Sequence, residues 1–149
     1  MEDFFEYHFD EIDKRLLYQL LAFRQKVFVV EQECPYQDLD FYDLEAYHVF
    51  CKKDGVIYAY ARVLPPNTTY QGYTSIGRVA SLLEARKNHL GTKLMQFALN
   101  SCQEKWPSTP IKIGAQAYLV AFYESFGFVL TGEPYIEDGI PHEIMIKTP

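Results

Sequence analysis

The segment RKNHLGTKLMQFALNSC, residues 86–102, places basic side chains and a glycine just before an apolar pattern typical of a helix. The first turn of a helix already exposes N–H groups without acceptors and carries partial positive charge, so cations there cost stability unless an anion binds. In a chain whose formal net charge is -6, the positions of Arg86, Lys87, His89 and Lys93 therefore predict an anion site. An ordinary solvated basic turn is the alternative.

A phosphate group is the anion that suits this arrangement best. The strand TSIGRVASLL precedes the segment and a helix follows it, so the backbone N–H groups of His89, Leu90, Gly91 and Thr92 are expected to face a bound pyrophosphate. The spacing is neither that of a nucleotide-triphosphate P-loop nor that of the dinucleotide fingerprint GxGxxG.

The remaining pattern predicts one domain, residues 1–149, in which helices and strands are mixed. Apolar residues recur at helical spacing over residues 13–29, with Asp13 as the cap, and two strands flank a turn at Asp54-Gly55. After the helix of residues 90–101 come the strand IKIGAQA, a helix that ends at Gly127, and two last strands. A strand, a helix and a strand in succession imply a parallel pair, so the fold class is α+β or α/β with three layers.

The stretch QAYLVAFYESFGF, residues 116–128, makes the prediction specific. Tyr123, Gly127 and Phe128 stand at the spacing of a motif of the GNAT family of N-acetyltransferases, with Gln116 where that family usually has Asn and Leu119 where it has Ala.

The family's acetyl-CoA loop reads R/Q-x-x-G-x-G/A. Arg86 and Gly91 match it, whereas His89 replaces the first glycine, which puts the backbone approach to the pyrophosphate in question. The chain thus resembles a GNAT acetyltransferase of the ElaA-like group over LLAFRQKVFVVEQECPYQDLD, AYARVLP, IGRVAS, GAQAYLVAFYESFGF and EDGIPHEIM.

This resemblance implies an α+β fold of three α/β/α layers. Its sheet is mixed and mostly antiparallel, with helices on both faces and a splayed parallel pair, formed by the strand ending near Ser81 and by IKIGAQA. Acetyl-CoA is the implied co-substrate, and an amine attacks its thioester directly. The implied cofactor-binding residues are Val79, Ala80, Ser81, Arg86, Lys87, Asn88, His89, Leu90, Gly91, Thr92, Gln116 and Tyr123.

The candidate catalytic residues follow from the same resemblance and from side-chain chemistry. Tyr123 is expected near the leaving sulfur, with a buried core tyrosine as the alternative. Glu31, His48, His142 or an ordered water are the candidates for the base that deprotonates the amine.

Two arginines allow two interpretations of their role. Arg62 and Arg78 would either bind an acidic group of the substrate or pair with acids of the loop over residues 31–45.

Composition excludes several other classes. The acidic balance argues against nucleic-acid binding, and the absence of a long apolar stretch and of a basic N-terminal segment argues against membrane insertion or secretion. Three distant cysteines indicate reduced thiols and a cytoplasmic location, and the histidines and cysteines lack metal-ligand spacing, so no metal is expected.

The acceptor and the partners stay open at this point. The acceptor is expected to be a small-molecule or peptide amine, and an exposed edge of the C-terminal sheet would suit a homodimer. Two hypotheses compete with an enzyme. One is a catalytically weak module that binds CoA or acyl-CoA, and the other is a protein-interaction domain that uses the aromatic residues.

Overall fold

A computed structural model describes residues 3–86 and 88–149. In chain order, the strands, the α-helices and one π-helical segment within these ranges are β1 (Asp3–His8), α1 (Lys14–Arg24), the π-helical Gln25–Glu31, β2 (Tyr47–Lys53), β3 (Val56–Leu64), β4 (Ser75–Ser81), α2 (Leu83–Arg86), α3 (Leu90–Lys105), β5 (Ile111–Gln116), α4 (Val120–Glu124), β6 (Val129–Glu137) and β7 (Ile140–Lys147).

The strands form two antiparallel groups that meet at one point. The first group has the order β1-β2-β3-β4 and the second the order β5-β7-β6. Between them, Thr74 and Ile111 form a parallel bridge, in which the Thr74 N–H donates to the Pro110 carbonyl at 3.1 Å and the Lys112 N–H to the Thr74 carbonyl at 2.9 Å. The predicted mixed, mostly antiparallel sheet with a splayed parallel pair is confirmed.

Side chains that alternate along the strands give the sheet two covered faces. On β2, Val49 and Cys51 pack in one apolar cluster with Leu94 of α3, whereas Phe50 packs in a second cluster with Leu20 of α1. Because successive strand residues point to opposite faces, both faces need a helical cover. The three-layer prediction is therefore confirmed.

Local sequence signals for turns and helix ends are confirmed as well. The Asp13 carboxylate accepts the Leu16 N–H at 2.8 Å and caps α1. Asp54 and Gly55 both have positive φ, as a tight hairpin turn requires. Gly127, with φ +97°, follows α4.

The N-terminal strand was absent from the predicted elements. Residues 3–8 pair antiparallel with β2, from Asp3 opposite Lys52 to His8 opposite Tyr47. The ring of Phe5 lies 5.3 Å from that of Phe50 on one face, and Phe4 lies 5.8 Å from Phe97 on the other. Acidic residues interrupt the apolar pattern of this segment, so the sequence does not indicate a strand. The strand is stabilised by its contacts with residues far along the chain.

Two register irregularities also depart from the predicted pattern. Strict alternation along β3 would put Ile57 on the face of Ala59, but Ile57 packs in the cluster of α1, because β3 has an extra residue between its pairs with Cys51 and Lys52. β6 continues through Gly132 and Pro134, residues that usually interrupt a strand. It is the edge strand of its group, where a proline costs little.

Candidate active site

The principal cleft of the structure lies where β4 and β5 separate. Beyond the Thr74–Ile111 bridge the two strands belong to different hydrogen-bonded groups, and the space between them opens into a cleft of about 890 Å³. Its lining includes residues of β4, the start of α3, the end of β5, the segment before α4, and the β6–β7 hairpin.

A bulge in β4 shapes one wall of this cleft. Between the pairs Tyr60–Ala80 and Arg62–Gly77, β4 has one residue more than β3, and Arg78 within that bulge has φ +50°. A bulge takes backbone groups out of the ladder, and β4 is also the last strand of its group. Its free edge can therefore offer backbone N–H and carbonyl groups to an extended ligand along Val79, Ala80 and Ser81, all of which line the cleft.

The start of α3, where the sequence predicts an anion cradle, lies at one end of the cleft. The Lys93 N–H donates to the His89 carbonyl at 3.1 Å, so the N–H groups of Leu90, Gly91 and Thr92 have no acceptor within the helix. His89 differs from the prediction, because its N–H donates to the Arg86 carbonyl at 3.4 Å. Arg86 is the last residue of the one-turn helix α2, and its carbonyl therefore accepts the His89 N–H that the sequence pattern assigns to the anion.

His89 has a left-handed backbone conformation, with φ +55°. This is the position at which the family motif has its first glycine, and positive φ is the conformation that glycine adopts most easily. Histidine is among the side chains found there more often than most. The backbone thus keeps a left-handed turn despite the substitution.

Most of the predicted cofactor-binding residues lie together in the cleft. Arg86 is exposed and lines the cleft. Two predicted residues do not line it: Asn88 is exposed elsewhere, and the Leu90 side chain is buried in the core. Lys87 lies outside the described residues. The predicted residues that line the cleft are Val79, Ala80, Ser81, Arg86, His89, Gly91, Thr92, Gln116 and Tyr123.

Gln116 has a buried polar atom with no partner. Its Oε1 is inaccessible to solvent and makes no hydrogen bond to the described residues. Leaving a buried acceptor unsatisfied costs about 1–3 kcal/mol. An amide N–H of a ligand would satisfy it once the side chain turns toward the cleft that Gln116 lines.

Tyr123 is buried at the cleft among aromatic rings. It is 7% exposed, and the rings of Phe122 and Phe128 lie edge-on at 5.2 and 6.0 Å. Burial, with a smaller contribution from Tyr118, raises the pKa of the Tyr123 phenol. The hydroxyl therefore keeps its proton at neutral pH and can act as a donor.

His142 is held in one orientation in the same cleft. Its Nδ1 lies 2.7 Å from the Ile140 carbonyl, which can only accept, so Nδ1 carries the proton and Nε2 has a free lone pair. Nε2 is 3.9 Å from a Glu137 carboxylate oxygen, and the Tyr135 ring stacks on the imidazole at 5.1 Å. This geometry is suited to accepting a proton at Nε2.

Tyr135 and Glu137 were not among the predicted site residues. Tyr135 is paired with His142 across β6 and β7, and Gln116 is paired with His142 across β5 and β7, so the three side chains share one face of the sheet. A Cβ at Gly114 would clash with the Tyr135 hydroxyl, which places that hydroxyl against β5. The Asp138-Gly139 turn signal fixes this register and could have identified Tyr135 from the sequence.

The other two predicted bases are not at the cleft. His48 is 1% exposed and does not line the cleft; its Nδ1 lies 2.6 Å from the Tyr60 hydroxyl and its Nε2 3.0 Å from the Asp43 carbonyl. Both ring nitrogens are engaged, so this histidine is part of the core. Glu31 is exposed at the end of the π-helical segment and does not line the cleft either.

Arg62 and Arg78 line the cleft. Both are paired with acids of the loop, which is one of the two roles considered for them from the sequence. Arg62 contacts both carboxylate oxygens of Asp40, at 2.7 and 2.9 Å, and Asp43 at 3.1 Å. Arg78 contacts Asp38 at 2.8 Å and Asp40 at 3.3 Å. The loop is thereby fixed against the wall of the cleft.

A third arginine, Arg24, pairs with two of these aspartates from the buried side. Arg24 is fully buried and contacts Asp38 at 2.9 Å and Asp43 at 2.6 Å. We call the six side chains the arginine–aspartate network: Arg24, Arg62, Arg78, Asp38, Asp40 and Asp43.

The part of the chain that the structure describes has no helix long and apolar enough to cross a membrane. It likewise contains no group of three or more histidine, cysteine, aspartate or glutamate side chains placed to hold a metal ion. No disulfide joins the three cysteines, and all three are buried.

Comparison with known proteins accounts for this arrangement. The family model of the acetyltransferase (GNAT) domain matches residues 15–149. Protein ElaA of Escherichia coli (strain K12) is 44% identical over 137 residues, which cover 91% of this chain and 89% of ElaA.

Solved structures agree. An acyl-CoA N-acyltransferase from Pseudomonas aeruginosa superposes with a TM-score of 0.93 at 41% identity, covering 99% of this chain and 100% of that one. The crystal structure of Escherichia coli ElaA superposes with a TM-score of 0.91 at 41% identity, covering 99% of both chains. The splayed strands, the helix-start cradle and these likenesses together show that the chain belongs to the GNAT acetyltransferase family, in its ElaA-like group.

Proposed function

We propose that this chain transfers an acetyl group from acetyl-CoA to an amine by direct attack, a more specific activity than the acyl transfer its family supports in general. One observation carries the proposal: a single cleft contains an anion cradle, a free strand edge, a buried tyrosine and a histidine with a free Nε2. These are the groups that binding a pyrophosphate, holding an extended arm and moving a proton require.

Acetyl-CoA is the substrate that this lining suits. The N–H groups of Leu90, Gly91 and Thr92, with the side chain of Arg86, would bind its pyrophosphate. The free edge of β4, and the Gln116 amide once it turns toward the cleft, would bind amide groups of its pantetheine arm. The thioester supplies the acetyl group.

His142 is the base in this proposal. An amine is a nucleophile only without its extra proton, and Nε2 of His142 is the lone pair that the cleft offers for that proton. The neighbouring Glu137 carboxylate, at 3.9 Å, stabilises the imidazolium that results. Neither His48 nor Glu31 can do this, since neither lines the cleft.

Tyr123 acts on the leaving group. As the nitrogen–carbon bond forms and the carbon–sulfur bond breaks, negative charge develops on sulfur. The Tyr123 hydroxyl remains protonated because burial raises its pKa, and it donates a hydrogen bond to that sulfur. His142 then releases the amine's proton to solvent and the thiolate takes a proton from solvent, since a free thiol has a pKa near ~8.5.

A CoA-binding module without turnover is the second candidate. The observation in its favour is His89 at the position of a motif glycine, where the exposed imidazole adds bulk beside the cradle. This candidate predicts binding of acetyl-CoA but no release of CoA with any amine.

Thermal-shift titration with acetyl-CoA, CoA and dephospho-CoA, followed by a CoA-release assay with a panel of amines, separates the two. Among the described residues, a Cβ at Gly91 would meet only Ser81 Oγ, at 3.9 Å. Gly91→Ala should therefore keep the stabilisation by acetyl-CoA, while Gly91→Glu, which adds a carboxylate, should lose it. His142→Gln should bind acetyl-CoA normally and lose amine-dependent CoA release. An unshifted melting temperature with every CoA species would contradict both candidates.

A further inference from the structure

The charges around His142 indicate which amines the cleft accepts. We call the acceptor end the part of the lining that contains His142 together with Arg62, Tyr70, Arg78, Tyr135, Glu137 and Asp138. Its aromatic residues can pack against a hydrocarbon skeleton, so its charged residues decide what else a substrate can carry.

The positive charges of the two arginines of the acceptor end are balanced by aspartates. Both belong to the arginine–aspartate network, in which three guanidinium groups face three carboxylates. Asp40 is held by Arg62 at 2.7 Å and by Arg78 at 3.3 Å, and Asp43 and Asp38 contact Arg24 from behind. The network is therefore neutral as a whole, so its arginines present no net positive charge to a substrate carboxylate, and the unpartnered Nε of Arg62 is buried away from solvent.

Two carboxylates remain without a basic partner among the described lysines and arginines. The Glu137 side chain is 59% exposed and its one ion-pair contact is to His142, at 3.9 Å. Asp138 is exposed in the β6–β7 turn. Lys112 is the basic side chain packed on the outer part of this region, 4.9 Å from the centre of the Tyr70 ring, and it does not line the cleft.

We propose that the acceptor end selects primary amines whose amine-bearing carbon carries no carboxylate, so that decarboxylated amino acids bind and the parent amino acids do not. Glu137 and Asp138 attract the ammonium group, and the same two charges repel a carboxylate beside it. Tyr70 and Tyr135 contact the carbon skeleton. Catalysis on such an amine rests on the function proposed above, whereas its binding does not.

Binding of three matched ligands to the CoA-saturated protein tests this selectivity. Tyramine lacks the carboxylate of tyrosine, and tyrosinamide replaces it with a neutral group of similar size, so the three separate charge from bulk. Dissociation constants are measured by ligand-observed NMR at pH 6.5, where the α-amino groups are protonated. Tyramine and tyrosinamide should bind, and tyrosine should bind at least about tenfold more weakly.

The double variant Glu137→Gln, Asp138→Asn attributes the selectivity to the two acids. Both side chains are exposed, and asparagine tolerates the positive φ of position 138, so the hairpin should persist. The difference between tyramine and tyrosine should narrow several-fold in this variant.

Each other outcome is decisive. Equal or tighter binding of tyrosine, binding of tyramine alone, no binding of any of the three, or an unchanged difference in the double variant would overturn the proposal. Selective binding of tyramine and tyrosinamide without CoA release from acetyl-CoA would uphold it and overturn the proposed transferase activity instead.

Discussion

Tyr123 and His142 are polar side chains that the fold buries in one cleft, 7% and 8% exposed. Burying a polar group costs free energy unless it finds a partner. His142 has one for Nδ1 in the Ile140 carbonyl, which leaves Nε2 to the cleft. The hydroxyl of Tyr123 is the donor that we assign to the leaving sulfur, and its contribution can be measured.

Tyr123→Phe removes that donor and preserves the ring packing against Phe122 and Phe128. We expect kcat for amine acetylation to fall about tenfold to a hundredfold, since one positioned donor or acid commonly contributes that much or more. Acetyl-CoA binding, followed by thermal shift, should not change. Tyr118→Phe is the matched control, because Tyr118 lines the same cleft but is 72% exposed. Equal kcat in both variants would refute the role of Tyr123.

His48 makes the stability of the protein depend on pH. Burial lowers its pKa, an effect that the nearby Asp43 opposes and the charges of Arg24 and Arg62 reinforce. Below pH ~6.5 the unfolded chain binds a proton at this histidine and the native protein does not, so the free energy of unfolding falls as the pH falls. Above that pH both states are neutral there and the effect vanishes.

Urea unfolding of the wild type and His48→Gln between pH 7.5 and 5.5 measures this contribution. The wild type should lose stability more steeply on acidification, by at most about 1.4 kcal/mol per pH unit relative to the variant. A constant offset between the two curves would instead show only the loss of hydrogen bonds to Tyr60 and Asp43.

At the scale of single elements, the start of α3 combines the binding role that we propose with a cost in backbone conformation. His89, at φ +55°, immediately precedes the N–H groups that form the cradle. An L-residue in the left-handed region loses about 1–2 kcal/mol relative to the right-handed helix, and glycine is spared that cost. The turn is thus encoded by its neighbours as much as by residue 89.

Substitutions at residue 89 should rank by their tolerance of positive φ. We expect His89→Gly to be as stable as the wild type or up to about 1 kcal/mol more stable, and His89→Val to be less stable by about 1 kcal/mol or more. Urea unfolding gives the order, and His89→Gly should still be stabilised by acetyl-CoA. The reverse order would mean that the histidine side chain itself holds the turn.

The helices and hairpins with strong local signals could be predicted from the sequence. Asp13 caps α1, Asp54-Gly55 turns the β2–β3 hairpin, and Gly127 follows α4, each as predicted. The strand β1 could not, because its pairing partners in β2 lie far along the chain. The length of β6 could not either, because Gly132 and Pro134 interrupt the local strand pattern, whereas pairing with β7 resumes at Pro134.

For the molecule as a whole, the arginine–aspartate network joins α1, the loop over residues 32–46 and the strands β3 and β4. Asp43 is central, since it contacts both Arg24 and Arg62. Burial opposes its charge, yet the hydrogen bonds and charges of the two arginines hold the pKa of Asp43 below its usual value. Its stabilising effect is therefore present above pH ~3.9 and is lost as the pH falls through the lowered pKa.

Asp43→Asn leaves two buried arginines short of one negative charge. Removing one partner of a buried ion pair typically costs about 3–5 kcal/mol, and we expect a loss of that size in urea unfolding at pH 7. Asp10→Asn, whose carboxylate is 82% accessible, is the control and should stay within about 0.5 kcal/mol of the wild type. Equal effects of the two substitutions would contradict the structural role of the network.

The sequence by itself determined the local features and the family. The basic helix start around Gly91, the tyrosine at 123 and the apolar periods are short-range patterns. They suffice to predict a three-layer fold and several residues that line the cleft near the start of α3. They suffice because helix caps, tight turns and amphipathic faces depend on neighbours a few residues away.

Only the tertiary structure decided between groups that look alike in sequence. His48 and His142 both begin or adjoin strands, yet the first is engaged on both ring nitrogens in the core and the second presents Nε2 to the cleft. Arg78 likewise lies in a bulge that no local signal marks, and its acids come from about 40 residues earlier in the chain. Burial and pairing across such distances set the charge, tautomer and direction of a side chain, and these depend on how the elements pack.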